Sequence, residues 1–222
     1  MKLLVAKTAL AAAIVVGPVT AIGAGTAGAT PVYGGALAIA FPFFPNAHMV
    51  NMEVAPAFGP SNLVNNVYAE SLRGCLSCNA LAVSVQVDLV SFTTTPPNET
   101  DVAKVVDQGG NGDQNLAVAA MFVVTAPGQV TLSASGRAQL GSIGYQLRAL
   151  SLMGSSAAAV QGNIDALLGQ VIQILQSDVT TTSPPTSIRQ GTPWAPISPT
   201  TSAVSTAVTG GVQITSNIQF DS

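Results

Sequence analysis

The chain has 222 residues, of which 48% are hydrophobic and only 8% charged, with a formal net charge of −3. A typical soluble domain carries about 25% charged residues, so the surface is expected to be neutral and polar, compatible with a cell wall and with self-association. Nucleic acid is excluded as a partner, because phosphate binding needs clustered Lys and Arg, and Arg73, Lys104, Arg137, Arg148 and Arg189 are scattered.

Residues 1–29 read as a cleavable export signal. Lys2 and Lys7 are the only charges before Glu53, Thr8–Val19 is almost wholly apolar, and Ala27-Gly28-Ala29 supplies an A-x-A site. The expected cut falls between Ala29 and Thr30. Gly17, Pro18, Gly23 and Gly25 interrupt the apolar run, which suits a signal better than a spanning helix of about 20 apolar residues. Cleavage removes Lys2 and Lys7, leaving five basic residues against ten acidic ones. The rest is long enough for one domain with a real core. The expected location is secreted or in the cell envelope.

Leu37, Ile39 and Phe41 alternate with Ala38 and Ala40, the period of a strand that Pro42 and Pro45 confine to an edge or an early end. Residues 46–60 read as a loop with extended pairing around Val50–Val54. Asn62–Ser71 fits a strand or a short helix. The clearest strand is Ala80–Phe92, with Leu81, Val83, Val85, Val87 and Leu89 on one face and Ala82, Ser84, Gln86 and Asp88 on the other. That pattern predicts a sheet packed on one side. A Thr/Pro stretch and a Gly/Asn/Asp loop surround an uncertain segment, Val102–Val106. Asn115–Thr125 is a second strong strand. Leu37-Ala38-Ile39, Leu81-Ala82-Val83 and Leu116-Ala117-Val118 open three Ala-rich runs, a weak internal repeat.

After Pro127-Gly128 the period becomes helical. Leu140, Ile143, Leu147 and Leu150 share a face, with Ser133 as N-cap and Gly154 as stop. A second helix, about 157–176, carries Val160, Ile164, Leu167, Val171 and Ile174. The short link makes the pair an antiparallel hairpin. Residues 177–201 are a Thr/Ser/Pro tract, expected to be an extended linker. Residues 202–222 alternate around Gly210-Gly211, a hairpin that rejoins the sheet.

Cys75-Leu76-Ser77-Cys78 is the sharpest local signature. Outside the cytoplasm it favours a disulfide, worth about 2 kcal/mol on the loop model. A redox-active pair is the second reading, although such cysteines sit at a helix N-terminus and here a strand pattern follows. Zinc is the third, needing Cys75, Cys78, His48 and a carboxylate such as Glu70. His48, the only histidine, lies among Pro and Asn, with no G-x-S-x-G elbow in the chain. Glu53, Glu70, Glu99, Asp101 and Asp107 offer carboxylates for hydrolysis, with no reason to prefer a pair.

The segment Asn65–Leu89 resembles a group of actinobacterial exported proteins. The resemblance rests on Tyr68, Ala69, Cys75, Cys78, Ala82, Val83, Val85, Gln86 and Val87, and extends through Gly136-Arg137-Ala138-Gln139-Leu140, covering roughly residues 62–150. Some members carry a peptide zinc metalloprotease label. It does not carry over, since the ligands are missing and Asn111-Gly112-Asp113-Gln114 stands where a second cysteine pair would precede Leu116.

The expected fold is therefore α+β: a signal peptide (1–29), a domain (30–176) with a mainly antiparallel sheet covered by the helical hairpin 133–176, a linker (177–201) and a terminal hairpin (202–222). The expected role is a non-enzymatic secreted or envelope-associated protein, binding or structural, with no cofactor, no metal and no catalytic residue assigned, and with cell-wall, membrane-surface or self-association as its partnership. The alternatives are an extracytoplasmic enzyme, either a thiol–disulfide oxidoreductase at Cys75/Cys78 or a carboxylate hydrolase, and a membrane-active or self-assembling envelope protein.

Overall fold

A computed structural model describes residues 32–58, 62–93, 97–109, 112–182, 203–209 and 212–221, the last two segments for their backbone only. The expected signal segment 1–29, the expected Ala29–Thr30 cut, residues 183–201 of the Thr/Ser/Pro tract and the expected Gly210-Gly211 turn lie outside the described residues.

Six strands come first: β1 (Val32–Ala40), β2 (Asn46–Phe58), β3 (Asn62–Ser71), β4 (Asn79–Ser91), β5 (Asn98–Asp107) and β6 (Gln114–Thr125). The odd strands form one sheet in the order β1-β3-β5, and the even ones lie side by side as β2-β4-β6 in a second. Every one of these pairings is parallel. The chain thus winds in three coils, each giving one strand to each sheet, in the manner of a short β-solenoid.

This corrects the expected antiparallel sheet. Antiparallel neighbours follow from tight hairpins, whereas parallel ones need a crossover. Here the crossover is itself a strand. The uncertain segment around Val102–Val106 belongs to β5, which carries the chain across the opposite sheet so that β6 returns alongside β4 in the same direction. The expected loop 46–60 is mostly β2, whose Pro56 is tolerated because β2 is an edge strand. Nor is β4 packed on one side: from Ala80 to Ser91 every residue is buried.

The outer face of the even sheet is covered by two helices, α1 (Ala134–Ala149) and α2 (Ala157–Asp178). Ser133 caps α1 by accepting from the Gly136 N–H at 2.9 Å, and Ser156 caps α2 through Ala159 N–H at 3.2 Å. Leu140, Ile143 and Leu147 of α1, with Val160, Ile164, Leu168 and Val171 of α2, form one apolar cluster with Leu81, Val83, Val85, Val87, Leu116, Val118, Phe122 and Val124 of the sheet. Two short strands, β7 (Val130–Leu132) and β8 (Val179–Thr181), flank the helices and pair antiparallel. The tail supplies β9 (Ala203–Thr209) and β10 (Val212–Asp221). β10 pairs antiparallel with both β6 and β9, extending the even sheet beyond the third coil.

The coils stack with side chains in register. Asn79 Nδ2 donates to Asn46 Oδ1 at 2.8 Å, and Asn98 Nδ2 to Asn62 Oδ1 at 3.2 Å. Leu81-Ala82-Val83 lies opposite Leu116-Ala117-Val118. Leu37-Ala38-Ile39 does not continue that series. It belongs to the other sheet, where Leu37 stands opposite Tyr68, and the first-coil positions matching Leu81-Ala82-Val83 are His48-Met49-Val50.

Candidate functional site

The lumen between the two sheets has three zones. At the turn end, small residues (Ala36, Ala38, Ala40, Ala69, Ala80, Ala82, Ala117, Ala119) pack with Val67, Cys75 and Cys78. At the other end, Ala57, Leu63, Val90, Met121 and Val123 form a separate apolar cluster. Between them lies a polar layer. Asn65 and Asp101, register partners on β3 and β5, face Ser84, Gln86 and Asp88 of β4, and all five are buried. Alternation explains the composition: these residues occupy every second position of their strands, the same phase as the lumenal alanines.

The layer is incompletely bonded. Asn65 Nδ2 crosses the lumen to the main-chain oxygens of Ser84 at 3.3 Å and Ala120 at 3.4 Å. Asn65 Oδ1, Ser84 Oγ, both polar atoms of Gln86, and both carboxyl oxygens of Asp88 and Asp101 have no hydrogen-bond partner among the described residues. A Cβ at Gly34 would stand 2.5 Å from Gln86 Oε1 and 3.3 Å from Asn65 Oδ1, so only glycine leaves room there for both oxygens. Burial pushes the Asp101 carboxyl up to about 8, with the Asn65 amide opposing the rise and the Glu99 charge adding to it. Burial likewise pushes Asp88 up to about 7, with Glu53 and Glu99 adding and the Gln86 amide opposing, and pushes Glu99 up to about 7.

The cysteines hold the middle coil's turn. Cys75 and Cys78 are joined in a disulfide with Cα atoms 5.7 Å apart, and both are fully buried. Gly74 and Ser77 take the left-handed backbone that lets the chain reverse there, at φ 85° and 56°. Cys78 N–H donates to Asp113 Oδ1 at 2.8 Å, and its carbonyl accepts from Gln114 N–H at 2.8 Å, which ties this turn to the next coil. Asn79 then opens β4, so a strand and not a helix begins at the cysteine pair.

The first coil presents a different surface. β1 and β2 are edge strands of their sheets. Tyr33, Leu37, Phe43, Phe44 and Phe58 are exposed, and they are half of the large hydrophobic side chains exposed among the described residues. Phe58 stacks on Phe92 at 6.4 Å between ring centroids, and Phe92 holds a left-handed backbone at φ 62°. Such a conformation is rare for an aromatic residue. Alongside β2, a groove of about 220 Å³ runs against α1, lined by Met52, Val54, Leu140 and the side chains of Arg137 and Arg148.

Of the residues the sequence singled out, the structure unites Cys75 with Cys78 and places Glu99 and Asp101 on β5, with Glu53 close enough to bear on Asp88. His48 is exposed on β2, and Glu70 accepts from Gln108 Nε2 at 2.9 Å, so neither joins the sulfurs in a zinc set. Among the described residues no three His, Cys, Asp or Glu side chains could share a metal ion. Asp107 is exposed and accepts from Gly109 N–H. Sequence reasoning missed Ser84, Gln86 and Asp88 because it assigned the polar side of β4 to solvent, and Asn65 because it left Asn62–Ser71 open between strand and helix. The available signal was β6, whose two faces are both apolar, the mark of a strand buried on both sides.

No protein-family model matches the chain, and comparisons with curated proteins and with solved structures find no match.

Proposed function

We propose that the chain is a secreted or envelope-associated structural protein, non-enzymatic, that assembles by docking the open edge of its first coil against the same edge of a second copy. The observation that carries this reading is that the first coil, whose two strands are sheet edges among the described residues, carries five exposed large apolar side chains. Unpaired edges are templates for strand addition, and natural proteins usually protect them with Lys, Pro or a covering element. Here β1 has no charged residue, and Glu53 is the only carboxylate on β2. Two copies can therefore meet through this face without bringing clusters of like charge together. A two-fold arrangement pairs like with like, the commonest form of homo-oligomer.

Sedimentation of the exported product across a concentration series tests this, with its first residue identified by intact mass. The expected product begins at Thr30 and shifts to a dimer as concentration rises, while a Leu37→Lys, Phe43→Lys variant stays monomeric. A wild-type monomer at every concentration overturns the reading. A variant that associates like wild type also overturns it.

A further inference from the structure

We propose that the polar layer of the lumen is a proton-keyed lock: Asp101 is held as a neutral acid whose O–H donates to Asn65 Oδ1, Asp88 on the opposite sheet of the same layer is neutral as well, and loss of these protons loosens the contact between the two sheets.

The argument starts from Asn65. Its amide nitrogen is committed to two carbonyl oxygens of the opposite sheet, Ser84 O and Ala120 O. Turning the amide over would offer Asp101 an N–H, but would set the Asn65 oxygen against those same two carbonyls, so they fix its orientation. The amide oxygen is left as the free end, next to Asp101 on the neighbouring strand, and among the described residues neither group has another partner. An amide oxygen and an ionised carboxylate are both acceptors only. A hydrogen bond forms between them when the carboxyl carries the proton, and a buried acceptor pair without one is costly.

The Asn65 and Gln86 amides favour the ionised forms of Asp101 and Asp88, but among the described residues no positive charge on the surrounding elements compensates an ionised acid. β1 has no charged side chain, and its Tyr33 is exposed. β2 brings Glu53, which adds negative charge near Asp88, and the exposed His48. On β3, Tyr68 is exposed and Glu70 is engaged with Gln108. β4 has only Asp88. β5 adds Glu99 to Asp101, while its Lys104 and Asp107 are exposed. β6 has no charged residue, and β10, which also approaches β5, carries only Asp221. Every charge that reaches the layer is negative, so ionisation there places like charges together in a low-dielectric space.

The direction of the pH effect follows. An unfolded Asp gives up its proton near pH ~4, whereas folded Asp101 keeps it up to about 8 and Asp88 up to about 7. The folded state therefore holds more protons than the unfolded state in between. Stability is full below the unfolded value, declines as pH rises, and is lowest once the folded values are passed.

The test is urea unfolding of the full chain at about pH 5 and about pH 8.5, for wild type and Asp101→Asn. The wild-type midpoint is expected to fall at the higher pH. The variant supplies an N–H donor that does not titrate, so its midpoint should rise above wild type at the higher pH and the gap between the two conditions should narrow. A wild type at least as stable at the higher pH, or a variant destabilised under both conditions, overturns the proposal. Should the variant fail to fold, carboxyl carbon NMR on wild type decides. A resonance of Asp101 that titrates well above the ordinary carboxylate range supports the lock, and one already ionised in mild acid overturns it.

Discussion

The two faces of β4 meet different neighbours and are filled in opposite ways. Toward the helices it presents Leu81, Val83, Val85, Val87 and Leu89. Toward the lumen it presents Ala80, Ala82, Ser84, Gln86 and Asp88, equally buried but small or polar. The difference reflects spacing. A helix stands off a sheet by the length of the aliphatic side chains between them, and large residues fill that gap at close-packed density. Two sheets lined with alanine approach so closely that the short side chain of Asn65 reaches from one to the main chain of the other. The helix face supplies apolar burial, and the lumen supplies register and a response to pH. One strand thus carries both the stability and the sensitivity of the domain.

The comparison makes opposite demands on size, and mutations can break it. The largest loss is expected on the helix face. Phe122→Ala removes a fully buried ring and should cost about 3–5 kcal/mol in urea unfolding. In the lumen the harm comes from added volume. Ala82→Leu, at a position with no exposure, should cost about 1–3 kcal/mol through overpacking, whereas the same enlargement on a loosely filled lumen would be neutral. Replacing Cys75 and Cys78 together by Ser should cost about 2 kcal/mol, read as a lower unfolding midpoint, with faster amide exchange concentrated in the 72–78 turn and the start of β4. The smallest effect belongs to the helix cap. Ser133→Ala removes the acceptor for Gly136 N–H and should cost about 1 kcal/mol, a loss visible in thermal melts as an earlier midpoint.

Legibility in the sequence followed the length and regularity of each pattern. The two helices were readable because Leu140, Ile143 and Leu147, and Val160, Ile164 and Leu167, repeat at helical spacing behind a Ser cap. The runs 80–92 and 115–125 were readable as strands, but their direction was not. Alternation says which residues share a face and says nothing about which way the next strand runs. That information lay in β3 and β5, whose Asn, Glu and Thr residues blur the alternation. The polar layer was hidden for a related reason. Ser84, Gln86 and Asp88 look solvent-facing until a second sheet is known to cover them. The disulfide was readable as the first of three choices, because two cysteines three positions apart face few partners. Its place, closing the middle coil's turn whose Cys78 N–H bonds Asp113 of the next coil, came only with the coil.

The parallel coil itself is open to a direct covalent test. Tyr68 and Lys104 are exposed register partners on β3 and β5, and neighbouring strands hold Cα atoms about 5 Å apart, within the reach of a disulfide. Paired substitution, Tyr68→Cys with Lys104→Cys, should oxidise to a single intramolecular cross-link, mapped by peptide mass alongside the native Cys75–Cys78 bond, with the fold retained. Two thiols that remain alkylatable in the folded protein under oxidising conditions would contradict the three-coil arrangement.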